Sequence, residues 1–225
     1  MLADLLSKSY DEDLEEAWEN ERTANALTGV AVRLHATGCS LRETTTVLAE
    51  LGVERSYGAV WNGVRRLADS VPDPSSASPT RVAVDETAVK INGEWSWLYA
   101  AINLDTKLIL DAQLFSRHGT DPAAAFLYRL REKHDLSEAV FLVDQFSYRT
   151  ALARVGLNGR VDYTDRNLIE KWFHTFKMRV NRFHNSWVGS RRSARKWIDQ
   201  FVHYYNHQRP HQSLDGKTPA DEVLN

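Results

Sequence analysis

Apolar side chains recur at helical intervals in the first third of the chain and at strand intervals after it. Ala24, Leu27, Val30, Ala31 and Leu34 fall on one face of a helix. Ser40-Leu41-Arg42-Glu43 has the S-x-x-E form of a capping box and predicts a second helix start. Val47, Leu48 and Leu51 continue an apolar face, and Gly52 suits a left-handed stop. Ser56 can cap a third helix, with Val60, Trp61, Val64 and Leu67 facing inward. Two short helices joined by a tight glycine-containing turn form a helix-turn-helix pattern. In DNA-binding versions the later helix enters the major groove. Tyr57, Asn62, Arg65 and Arg66 are then the candidate DNA contacts. A three-helix packing module without a ligand carries the same pattern.

Residues 70–80 hold three prolines and four serines and read as a linker. They divide the chain into a helical front part (1–69) and a back part (81–225). The back part opens on residues 82–91, rich in β-branched side chains, and Asn92-Gly93 is a two-residue hairpin signal. Strands are expected over 95–104 and 108–115, then a helix over 121–134 with Phe126, Leu127 and Leu130 inside. Residues 139–143 are continuously apolar, as in a strand buried on both faces. A helix near 148–155, a short strand near 160–163 and a long amphipathic helix from about Asn167 complete an α/β order.

Composition narrows the setting. The apolar runs are too short to span a bilayer, and the first residues lack the basic leader and apolar stretch of a signal peptide. Cys39 is the only cysteine, which excludes an internal disulfide and a cysteine-rich zinc site and fits a reducing cytoplasm. His203, His207 and His211 are spaced by four, but Pro210 interrupts a helix there and no zinc pattern is completed. The net charge of -2 hides an uneven distribution. Residues 1–21 carry eight acids and one lysine, whereas residues 166–197 carry nine Lys or Arg and one acid, Glu170. A basic block is often only a solvated face, but a polyanion would dock here.

Asp85 falls inside the first expected strand, Asp144 ends the buried fourth, and Glu170 lies early on the long helix. Charges beside apolar runs are costly unless paired or bound to metal. Three converging carboxylates repel one another, and a divalent cation relieves that repulsion. Oxygen-only ligands suit Mg²⁺ or Mn²⁺, and two such ions support in-line phosphoryl transfer. Turn and cap roles are the ordinary reading of single aspartates: Asp105 and Asp111 fit turns or strand edges, and Asp162 and Asp165 fit caps of the long helix. Glu86 points to the face of the strand opposite Asp85. Lys177 follows Glu170 by nearly two turns on the same helix face, where it can meet a phosphate or simply solvent.

VAVDETAVKINGEWSWLYAAIN, FLVDQFSYR, DRNLIEKWFHTFK and the tail YYNHQRPHQSLDGKTPADEV together resemble prokaryotic DDE-type insertion-sequence transposases, most closely the IS-six family. The resemblance covers almost the whole chain. It implies an RNase H-like fold, a mixed five-stranded sheet with flanking helices behind the helix-turn-helix domain. It implies that Asp85, Asp144 and Glu170 hold two metal ions, Mg²⁺ or Mn²⁺, and that Lys177 meets transposon-end DNA; from the charge of the basic helix, Arg179 and Arg182 are expected to add phosphate contacts. The implied partners are double-stranded DNA, as terminal inverted repeats and target, and a second copy of the chain. The implied site of action is the nucleoid. One departure is that only 25 residues lie between Asp144 and Glu170, a short connection for this class. A DNA-binding regulator without catalysis, or an RNase H-like nuclease without strand joining, are the rival readings.

Overall fold

The computed structural model describes residues 25–70, 76–143, 146–161, 167–181, 187 and 189–223. The chain forms two compact units, one reaching Pro72 and also including Lys196–Tyr204, the other formed by Asp73–Arg195 and the residues from Tyr205 on.

In the first unit, α1 (Asn25–Thr37), α2 (Leu41–Glu50) and α3 (Tyr57–Ser70) pack on one another. The capping box forms: Glu43 N–H donates to Ser40 Oγ (3.1 Å) and Ser40 N–H donates to Glu43 Oε2 (2.7 Å). Gly52 takes φ 79°, and Val53 N–H returns to Leu48 O (2.9 Å) to close α2. Ser56 Oγ accepts from Ala59 N–H (3.1 Å) and starts α3. Val32, Val64 and Leu67 bury together with Trp61 against them, and Ala31, Leu48 and Val60 form a second small core. His35 donates from Nδ1 to Cys39 O (2.9 Å). Its burial holds its pKa below the ordinary 6.5. Lys196–Tyr204 contributes Trp197 and Phe201, stacked at 5.5 Å, and Gln200, whose Nε2 donates to Val32 O (3.5 Å).

The second unit is built on a five-stranded sheet of order β3-β2-β1-β4-β5. Its strands are β1 (Arg81–Ile91), β2 (Glu94–Asn103), β3 (Ile109–Phe115), β4 (Val140–Val143) and β5 (Asn158–Val161). The first three are antiparallel, whereas β4 and β5 join β1 in parallel. Asn92 and Gly93, at φ 51° and 82°, supply the left-handed pair that a tight hairpin needs. This is the RNase H-like mixed sheet that the resemblance implies.

Alternation along β1 assigns the two faces. Val82 and Val84 join Tyr99, Ala101, Leu108 and Leu110 in a core with α4 (Thr120–Lys133) and α5 (Phe146–Arg154), whose Phe126, Leu127, Leu130, Tyr148 and Leu152 are fully buried. Ala83, Leu98, Ala100 and Ile102 are equally buried but belong to the other face. There α6 (Asn167–Asn181) contacts β1 and β2 through an amphipathic face of Ile169, Trp172, Phe173 and Phe176.

Asp111 lies on the outer strand β3 rather than in a turn. It is buried within β3 and paired with Arg129 (3.2 Å) and Lys133 (3.7 Å) of α4. Residues 76–80 of the Pro/Ser-rich stretch are extended and anchored: Ala77 N–H donates to His134 Nδ1 (3.2 Å), and Val140 N–H to Thr80 O (2.9 Å). His134 in turn donates from Nε2 to Leu110 O (3.0 Å).

After α7 (Arg191–His203), Tyr204–Gln208 widens into a π-helical turn. Pro210 ends helical geometry, and a short α8 (Pro219–Val223) lays Ala220 and Val223 on the main core. In the turn, the Asn206 side chain makes a two-way match with the backbone of Ile109: Oδ1 accepts from its N–H and Nδ2 donates to its carbonyl, both at 2.9 Å.

Candidate active site

Asp85 sits mid-strand in β1, half-buried, on the face that α6 covers. Its Oδ1 accepts from the Glu86 peptide N–H (2.9 Å), which folds the carboxylate back along its own strand. Glu170 lies in the first turn of α6 and is exposed. A carboxylate there is favoured by the helix dipole. Two of the three expected carboxylates therefore ride on elements in contact, on the same side of the sheet. Asp144 lies outside the described residues. It directly follows β4, whose register with β1 sets Ala83 beside Leu142. Ala83 is two residues before Asp85, and Leu142 is two before Asp144. Among the described residues, which leave out Asp144, no three His, Cys, Asp or Glu side chains gather as a metal-holding group.

Lys177 is exposed further along α6. Arg179 is partly buried and donates back to Thr175 O (3.4 Å). Arg182 lies outside the described residues. On α3, Tyr57 is 63% exposed, and Asn62, Arg65 and Arg66 are exposed beside it, while Val60, Val64 and Leu67 turn inward.

The face opposite Asp85 holds polar groups that periodicity alone did not flag. Glu86 accepts a hydrogen bond from the Tyr148 hydroxyl of α5. Tyr148 is buried, and burial first, then the Glu86 charge, pushes its pKa well above the usual 10. Beside it the Tyr99 hydroxyl accepts from Gly119 N–H (3.0 Å), and burial pushes its pKa up to about 12. The available signal was the alternation itself, because Val82 and Val84 place Glu86 on the apolar face, where a carboxylate requires a donor.

Retroviral integration machinery shares this frame. A chain of the cryo-EM structure of the simian T-cell lymphotropic virus intasome in complex with PP2A regulatory subunit B56 gamma superposes with a TM-score of 0.51, at 13% identity, covering 87% of this chain and 74% of that one. At that identity the likeness speaks to fold, and the fold is RNase H-like. Sequence comparison is more specific. The family model described as a DDE domain matches residues 79–211. The Staphylococcus aureus transposase for insertion sequence-like element IS431mec is 26% identical over 195 residues, spanning 82% of this chain and 86% of the relative. The transposase for insertion sequence element IS257 in transposon Tn4003, also of Staphylococcus aureus, is 25% identical over the same shares. The chain belongs to the DDE-domain transposase family, in its IS-six branch. It is an insertion-element transposase, an enzyme that cleaves and joins DNA. Members of this family draw on divalent metal ions and bind DNA. No described helix is long and apolar enough to cross a membrane.

Proposed function

We propose that Asp85, Asp144 and Glu170 form the metal-dependent centre with which this transposase frees a 3′-hydroxyl at each element end and joins it to target DNA. The observation that carries the reading is the placement of Asp85 on the α6 face of β1 with Glu170 in the first turn of α6. The donor set fits the ions: carboxylate oxygens alone, from a strand, a strand end and a helix, match the hard, oxygen-seeking Mg²⁺ or Mn²⁺. When bound, two such ions supply charge stabilisation to the attacking and leaving oxygens of an in-line phosphoryl transfer.

The chain's own residues do the rest. Glu86 N–H holds Oδ1 of Asp85 and so orients the carboxylate that would hold an ion. Glu170, exposed at a helix start, approaches from the solvent side, and Lys177 on the same helix meets a phosphate of the element end. Arg179 and Arg182 extend that basic track. Tyr57, Asn62, Arg65 and Arg66 of α3 read the terminal inverted repeats in the manner of a helix-turn-helix. Two ends must be held together, so the working form is at least a dimer, acting at the nucleoid in the cytoplasm.

The test is cleavage and joining of a labelled duplex carrying the element's end, with and without Mg²⁺. Wild-type protein should cut only with metal, and Asp85→Asn, Asp144→Asn and Glu170→Gln should not cut while still folding and binding DNA. Equal cutting by the wild type and these variants would sink the assignment. Cutting without joining would favour an RNase H-like nuclease. DNA binding that falls steeply with salt, and weakens in Arg65→Ala/Arg66→Ala, checks the front helices.

A further inference from the structure

We propose that Tyr148 and Glu86 are positioning residues for Asp85, acting through a two-link chain of hydrogen bonds. This rests on the reading of Asp85 as a catalytic carboxylate. The Tyr148 hydroxyl donates to the Glu86 carboxylate. The Glu86 peptide N–H donates to Asp85 Oδ1 at 2.9 Å. The side chain of residue 86 is thus fixed against α5, while its main chain fixes the neighbour on the other face.

Neither group reaches this arrangement by default. Glu86 is half-buried on the face that α4 and α5 cover, and its strand neighbours there, Val82 and Val84, are fully buried. Directly across the ladder stands Tyr99, itself buried. An unpaired carboxylate in that setting would carry a desolvation cost. Tyr148 is 1% exposed, so its hydroxyl equally requires an acceptor. The pair satisfies both groups at once. It also ties down the first turns of α5, the helix that begins two residues after Asp144 in sequence. The same contact therefore bears on the strand of one proposed metal carboxylate and on the chain just beyond another. Partners of this outer kind commonly set how tightly a metal site closes.

The experiment uses the full chain, with Tyr148→Phe, Glu86→Ala, Glu86→Gln and the Glu86→Ala/Tyr148→Phe double variant. Three quantities are measured: the Mg²⁺ concentration for half-maximal cleavage of an end duplex, Mn²⁺ binding to DNA-free protein by electron paramagnetic resonance, and the thermal unfolding midpoint. Tyr148→Phe and Glu86→Ala should each weaken both metal readings about ten-fold. The double variant should be no worse than either single one, because the link is already broken. Glu86→Gln keeps an acceptor for Tyr148 and should stay close to wild type. Lowered midpoints with unchanged metal readings would show a packing pair only and overturn the proposal. If Tyr148→Phe does not fold, Glu86→Ala, which leaves the aromatic packing in place, carries the same test. Asp85→Asn separates the two layers: unimpaired Mn²⁺ binding and cleavage in that variant would remove the catalytic reading itself, and this inference with it.

Discussion

The two faces of β1 are finished in different ways. On the α4–α5 face, carboxylates are answered inside the protein: Glu86 by the Tyr148 hydroxyl, and Asp111 by the cations of Arg129 and Lys133. Its buried imidazole, His134, has both nitrogens engaged by backbone groups. On the α6 face, Glu170 is exposed at a helix start, and Asp85 accepts a hydrogen bond from the peptide N–H of its neighbour Glu86. The α4–α5 face gives its carboxylates donors from the protein. The proposed metal centre, by contrast, would bring carboxylates together for a cation to answer.

That contrast can be broken by experiment, and the largest effect belongs to the α6 face. Asp85→Asn or Glu170→Gln should lower cleavage by about a thousand-fold or more. The unfolding midpoint should stay level or rise, since a repulsive charge is gone. A cleavage gel and calorimetry on the same preparation check this. A marked loss of stability with cleavage intact would reverse the roles of the two faces.

Asp111→Ala probes the opposite face and should do the converse. It removes an ion-pair partner from Lys133, whose side chain is only 16% exposed. With Arg129 half in solvent, the cost should be about 2 kcal/mol, or about 4–8 °C in a protein of this size. Cleavage below the midpoint should be unchanged.

The smallest effect lies away from both faces, in the C-terminal turn. Burial first, then the Arg209 and Lys107 cations, holds the His211 pKa below its ordinary 6.5. Because the folded value is the lower one, the unfolded chain takes up the proton first as pH falls below 6.5. Stability is then lost going down from there, by at most about 1.4 kcal/mol per pH unit, until the folded form also protonates. Midpoints measured from pH 7.5 to 5 should fall less in His211→Gln than in the wild type, with His35, shifted in the same direction, supplying the remaining slope.

Local signals were legible where the physics is local. The Ser40–Glu43 capping box, the Asn92-Gly93 turn and the apolar stripe of α6 each involve neighbours within a turn or two. Long-range matches were not. Asn206 and Ile109 are 97 residues apart and Tyr148 and Glu86 are 62 apart, and a side chain that satisfies a distant group leaves no period behind. The same reason hid the grouping of Lys196–Tyr204 with the front helices, since one amphipathic helix can serve two units without any change in its pattern. Of the proposed centre, the candidate carboxylates were picked out by their places beside apolar runs. That Glu86 reaches Tyr148 could not, because alternation assigns a face but not a partner.

The Asn206 amide has one further consequence. β3 is an outer strand of the sheet, and an outer strand with open N–H and C=O groups is a template on which another chain can add itself. By answering both backbone groups of Ile109, Asn206 acts as a stopper at one end of that template. Removing the residues from Tyr204 on should therefore raise the tendency to aggregate, as light scattering would check.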